Sequence, residues 1–361
     1  MPRLFITDCE GPVSKNDNAY EITQQLVPDG DKFFTLLSKY DDIQADIIKR
    51  PGYKAGNTLK LIVPFLRAFG ASNKKMREFS AAHILLVSGA RETLQFVQQI
   101  MPSFIVSASY EQYMQALCEV VGFPFKNVYC TRLDVDKYRM DKAEIGKFNE
   151  LRKEIVSLPM IEFPETPLRF MKDFSTTTRG VVERLDEIFW KEIPKMKSGK
   201  IIKEVEPVGG IEKARAIEEI LRRTGGKLSE TTYVGDSITD LQPFQLVKEK
   251  GGLTISFNGN GYAIRDSEVA VLSSNTVVTS ILAEVFNSKG KDTAIKMVKE
   301  WSRKAIERYC ENNLLVTLFS RLFPDELPQV EVITEENKER LTKESSAFRK
   351  MIRGEAIGGL G

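Results

Sequence analysis

Short apolar runs rich in β-formers alternate with amphipathic helical stretches through much of this chain, and that alternation most constrains what it can fold into. The runs cover residues 4–7, 103–109, 127–133, 231–234, 253–257 and 269–272. Helical periodicity occupies residues 89–100, 110–121, 211–223 and 277–286 between and after them. Strand-helix alternation is the pattern of a parallel sheet covered by helices. The expected fold class is therefore α/β, with a doubly wound, mostly parallel, Rossmann-like sheet. In such a sheet the carboxyl ends of the strands share one edge, and ligands bind there.

Chemistry-bearing residues collect at that edge. The first run ends in Asp8-Cys9-Glu10-Gly11-Pro12, two acids two residues apart followed by turn formers. Two carboxylates facing each other at a strand end serve stability poorly. The second run ends in Ser107-Ala108-Ser109, and the run at 231–234 leads into Gly235-Asp236-Ser237-Ile238-Thr239-Asp240. Lys213 lies early in the helix after Gly209-Gly210, within reach of the same edge. Four carboxylates, a hydroxyl and an ammonium without histidine suit a hard, oxygen-preferring cation such as Mg²⁺, which usually works with phosphate substrates.

Composition removes several alternatives. There is one histidine, His83, in an apolar stretch where a hydrogen-bonded structural role is expected, so a His-rich metal site and a Ser-His-Asp triad have little to draw on. The four cysteines, Cys9, Cys118, Cys130 and Cys310, form no CxxC pair, which argues against a zinc site or a disulfide framework and suits a reducing cytoplasm. Lys plus Arg (52) nearly cancel Asp plus Glu (50), so no global basic field exists to recruit nucleic acid. No signal peptide and no membrane span is read, and a cytoplasmic location is expected.

The core is assigned to residues 1–13, 88–136 and 198–286. Residues 14–87 read as a helical cap, and 137–197 as a second, cap-like insertion of charged, Pro-punctuated sequence. Residues 198–202 read as a turn into an extended segment. Residues 287–361 read as a helical extension that packs on the core or on a protein partner, with a charged stretch at 335–353 taken as a solvated face and a frayed glycine-rich end. Asn16, Asp17 and Arg179, in the insertions, read as ordinary surface.

The four edge segments, taken in order, resemble the motifs of the haloacid dehalogenase superfamily, mostly aspartate-nucleophile phosphohydrolases. Asp8-Cys9-Glu10-Gly11 resembles the first motif, Ser107 the second, Lys213 the third and Gly235 to Asp240 the fourth. Ile105-Val106-Ser107-Ala108-Ser109, Thr131-Arg132-Leu133-Asp134-Val135 and Gly199-Lys200-Ile201-Ile202 look most like the phosphoserine-phosphatase branch. The layout also resembles archaeal proteins labelled as energy-converting hydrogenase subunit R. The resemblance covers the core without its insertions.

It implies a Mg²⁺-dependent phosphatase acting on a small phosphorylated metabolite, with Asp8 as nucleophile and Glu10 as proton carrier. Ser107 and Lys213 would hold phosphoryl oxygens. Asp8, the Glu10 carbonyl and Asp236 would ligate the metal, with Asp240 supporting the cluster. Two positions depart from the pattern: Glu10 stands where most relatives carry Asp, and Pro12 where many carry Thr. A different class of reading is an interaction subunit of a larger, hydrogenase-type complex that keeps the fold and turns over weakly. Dehalogenation fits less well, because halide loss needs no acid at Glu10.

Overall fold

The computed structural model describes residues 3–163 and 170–360; residues 1–2, 164–169 and 361 of the spans above lie outside them. Seven strands form one sheet: β1 (Leu4–Thr7), β2 (Ser103–Tyr110), β3 (Val128–Thr131), β4 (Thr231–Gly235), β5 (Leu253–Phe257), β6 (Val269–Leu272) and β7 (Gln329–Val332), in the order β3-β2-β1-β4-β5-β6-β7. All neighbouring pairs are parallel except β6 with β7. The fold is thus the doubly wound, mostly parallel α/β arrangement expected from the alternation. Strand β7 has no counterpart among the apolar runs of the sequence. It comes from the C-terminal extension and closes one edge antiparallel to β6.

Alternate residues of the central strands enter different cores, as a period of two requires. Phe5, Ile105, Val234, Ile255 and Val271 face the helices Ala90–Ile100, Glu111–Val121 and Val277–Lys289. Leu4, Ile6, Phe104, Val106 and Tyr233 face Ile211–Thr224 and Leu241–Glu249. A third apolar cluster joins Phe33, Tyr40 and Phe65 of the first insertion to Phe148, Leu185 and Phe189 of the second. Residues from both insertions therefore pack around shared side chains. Among the described residues, no helix is long and apolar enough to cross a membrane.

Two local expectations need correcting. Residues 198–202 are not extended: a tight turn over Lys197–Gly199 runs into the helix Lys200–Glu204. Ile201 and Ile202 look like strand formers, but they are buried in the insertion cluster, and packing overrides propensity. The glycine-rich end is not frayed either. Glu355–Gly358 is helical and Leu360 is buried. A Cβ on Gly358 would lie 2.6 Å from the Lys350 Cα, so the absence of a side chain lets the tail fold back on the preceding helix.

Candidate active site

Strand β1 lies between β2 and β4, so the chain winds outward to one side after β1 and to the other after β4. Where the order reverses, the strand ends leave a crevice. Asp8 follows β1, Ser107 lies in β2, and Asp236 follows β4. The sequence-derived residues do converge. Asp8, Glu10, Ser107 and Asp236 line one cavity of about 100 Å³; Lys213 and Asp240 do not line it, but pair with each other beneath Asp8 as a buried floor.

The floor is a buried ion-pair relay. Lys213 Nζ, from the first turn of Ile211–Thr224, lies 2.7 Å from Asp8 Oδ2 and 2.7 Å from Asp240 Oδ1. The same Asp240 oxygen accepts the Tyr233 hydroxyl at 2.6 Å, and Oδ2 accepts the backbone N–H groups of Asp236 (2.9 Å) and Ser237 (3.0 Å). Asp240 thus fixes both the lysine and the loop that carries Asp236. Asp8 Oδ1 accepts the Cys9 N–H at 2.6 Å. Ligand oxygens of Asp8, Asp236 and Asp240 lie within 4.8 Å of one another.

Burial shapes the protonation of these groups. It raises the Asp8 carboxyl to about 7, with the Lys213 charge pulling the other way. Burial would lower the Lys213 ammonium, but the Asp240 and Asp8 carboxylates outweigh it and hold it above its usual value. The Glu10 carboxyl is raised well above the usual range, by burial first and then by Asp17. Glu10 Oε1 accepts the Asn18 N–H at 2.7 Å, at the first turn of the helix Asn18–Leu26, which ties this acid to the first insertion.

Gly11 sets the spacing of the two carboxylate loops. Its φ is +110°, and a Cβ there would stand 2.1 Å from Asp236 Oδ2 and 2.3 Å from its Cγ. Gly11→Ala should therefore combine backbone strain with a displaced Asp236, costing at least about 2 kcal/mol and most of any activity. Thermal unfolding of the variant checks this; an unchanged melting temperature would contradict it.

Arg349 and Arg353, from the helix Lys338–Arg353, line the cavity and both donate to Asp236 Oδ2, Arg353 at 3.2 Å. The charged stretch 335–353 thus has an inward side and is not a fully solvated face. The available signal was the four-residue spacing of Leu341, Ser345, Arg349 and Arg353, a single helical stripe that begins apolar and small. Asn16 is buried and structural: its amide donates to Glu21 and the His83 carbonyl. Asp17 lines the cavity and caps the helix that follows, accepting the Tyr20 N–H. His83 is exposed, hydrogen-bonded to the Phe79 carbonyl and stacked on Phe79, away from the cavity.

No protein-family model matches this chain, and no curated protein matches it. Among solved structures, gene product AF1437 from Archaeoglobus fulgidus is similar from end to end. Its TM-score is 0.81 at 25% identity, over 100% of this chain and 99% of that one. A substrate-bound phosphoserine phosphatase complex gives a TM-score of 0.45 at 14% identity, over 78% of this chain and 97% of that one. A phospho-aspartyl intermediate analogue of phosphoserine phosphatase gives 0.41 at 14% identity, over 78% and 97%. The end-to-end likeness takes in residues 287–360, so the C-terminal extension belongs to a shared architecture.

Asp41, on the cavity wall, supplies a pH test. Burial raises its carboxyl from 3.8 to about 6, against the Gly56 N–H that Oδ2 accepts at 2.7 Å. The folded state binds this proton more tightly than the unfolded chain, so stability is gained as pH falls through about 6 towards 4 and lost as it rises. The contribution is about 3 kcal/mol across that window. Asp41→Asn should flatten the dependence by a comparable amount. Urea midpoints at pH 7.5 and 5 read the upper part of it, about 1.4 kcal/mol for the unit of pH below 6, and parallel slopes for the two proteins would refute the assignment.

Proposed function

We propose that this chain is a Mg²⁺-dependent phosphohydrolase of the haloacid dehalogenase type, acting on a small phosphomonoester through an aspartyl-phosphate on Asp8. The observation that carries the reading is Lys213 Nζ bridging Asp8 and Asp240 beside Ser107 and Asp236. An all-oxygen set of buried carboxylates fits a hard divalent cation. Asp8 and Asp236 would hold it. Asp240 already takes four donors, from Lys213, Tyr233 and the Asp236 and Ser237 N–H groups, and does not line the cavity, so its part is to position Lys213 and Asp236. When bound, the cation would neutralise charge on the phosphoryl oxygens and favour the ionised form of Asp8.

The chain's own residues then act in two steps. An Asp8 oxygen attacks phosphorus, the ester P–O bond breaks, and the leaving alkoxide takes its proton from Glu10. Glu10 next removes a proton from water, whose oxygen attacks phosphorus, releasing phosphate and restoring Asp8. The raised Glu10 carboxyl suits the first role, because the acid must begin protonated. Ser107 and Lys213 hold phosphoryl oxygens in place, the main requirement of this chemistry. The two insertions together form the cap that covers the site and selects the substrate, as their common apolar cluster supports. A panel of phosphomonoesters assayed with Mg²⁺ tests the reading: phosphate release from at least one member is expected, and none across the panel would overturn it.

One observation favours the second reading, a protein-interaction role. Leu314, Leu318 and Leu322 form an exposed stripe on the helix Asn313–Leu322, at 85%, 40% and 42% exposure.

A further inference from the structure

The last long helix of the described chain ends inside the active-site cavity. The Arg349 and Arg353 side chains are 4% and 5% exposed and Asp236 is 1% exposed, so all three charges are out of water. Among the described residues lining the cavity, these two supply its cationic side chains. With Lys213 they face Asp8, Asp236 and Asp240, while Glu10, Asp17, Asp41 and Asp42 add further carboxyl groups to the lining.

We propose that Arg349 and Arg353 form a latch that competes with a divalent cation for Asp236. With no cation, the guanidinium groups hold the carboxylate and the C-terminal helix closes the cavity. Cation uptake displaces them and frees the helix. The proposal rests on the cation-binding part assigned to Asp236 above.

Three observations support competition rather than coexistence. First, both guanidinium groups donate to the same oxygen, Oδ2, so a cation there meets two resident positive charges. Placing a doubly charged ion beside two buried guanidinium groups removes the compensation that makes their burial tolerable. Second, Arg349 has little else to hold it. Its Nη1 donates to the Asp236 carboxylate and, at 3.4 Å, to the Asp236 carbonyl, while among the described residues its buried Nε has no partner. A buried donor left unpaired costs free energy, so the position of Arg349 is set by Asp236. Third, Arg353 also donates to the carbonyls of Lys15 (3.0 Å) and Asn16, in the loop between Glu10 and the first cap helix. One residue thus ties core, cap loop and tail together.

The geometry also says why the latch must open. The cavity measures about 100 Å³, small beside the roughly 300 Å³ at which ligand pockets begin. Arg349, Arg353 and Leu360 make up its wall on the tail side. On the outer face the exposed pair Lys343 with Glu339 stays solvated if the helix moves, whereas Arg340 and Glu344 also hold Glu331 (2.6 Å) and Gln329 (2.8 Å) of β7, which anchors the start of the helix to the sheet. Its inner face is held by a short set of contacts, notably buried Leu341 and the Ser345 hydroxyl donating to the Gly259 carbonyl at 2.6 Å.

The test is Mn²⁺ binding to the full chain, followed by calorimetry, in wild type, Arg349→Met and Arg349→Lys. Arg349→Met should bind Mn²⁺ at least about tenfold more tightly than wild type, because it leaves Asp236 short of a counter-charge. Arg349→Lys, which keeps the charge, should stay near wild type. In wild type, Mn²⁺ should speed amide hydrogen exchange across residues 341–358, a readout that needs no variant to fold. Equal Mn²⁺ affinities with unchanged exchange would overturn the latch while leaving the cation site standing. Absence of Mn²⁺ binding in all three proteins would overturn the cation site and the latch together.

Discussion

Replacing Asp8 with asparagine is expected to end phosphate release, lowering the rate by at least about a thousandfold on any phosphomonoester the wild type accepts. The substitution keeps the shape of the side chain. Its amide oxygen can still accept the Cys9 N–H, now made by Oδ1 at 2.6 Å. What is lost is the second carboxylate oxygen and the charge that meets Lys213 at 2.7 Å. An amide is a poor nucleophile towards phosphorus, and Lys213 would turn fully to Asp240. The measurement is phosphate release with Mg²⁺ in excess, beside a check that the variant is folded. A variant within tenfold of wild type would remove Asp8 from the chemistry and with it the covalent route.

The second large effect concerns stability. Lys213 is 0% exposed and stands between two carboxylates that are 6% and 0% exposed. Lys213→Met fills much of the same volume but leaves Asp8 and Asp240 as neighbouring buried anions. Removing one partner of a buried ion pair typically costs about 3–5 kcal/mol, a large share of the net stability of a domain. The deficit should shrink as pH falls, because Asp8, whose carboxyl burial already raises to about 7, then takes up a proton. Urea unfolding at pH 7.5 and at pH 5 tests both parts. A variant as stable as wild type at pH 7.5 would mean that the relay is not held together by charge.

What could be read in advance follows from how locally each feature is encoded. The strands of the sheet core are short, contiguous and fully buried, so their apolar runs mark them directly. The site followed from those runs, because a parallel sheet brings Asp8, Ser107 and Asp236 to one edge whatever lies between them. The tail residues had no such help. Arg349 and Arg353 meet Asp236 across 113 and 117 residues of chain, in a helix whose composition suits full exposure. Periodicity reveals an inward face when that face is apolar, and here it turns cationic after Leu341 and Ser345. Strand β7 was hidden for a different reason: Gln329-Val330-Glu331-Val332 offers two apolar residues, too few to establish a period of two.

The arginines that meet Asp236 also order the events of synthesis. Asp8, Lys213, Asp236 and Asp240 leave the ribosome well before residue 349, and N-terminal segments fold first. For that interval the nascent crevice holds the carboxyl groups of Asp8, Glu10, Asp17, Asp236 and Asp240 against a single lysine. It is then most open to whatever cation the surrounding solution supplies.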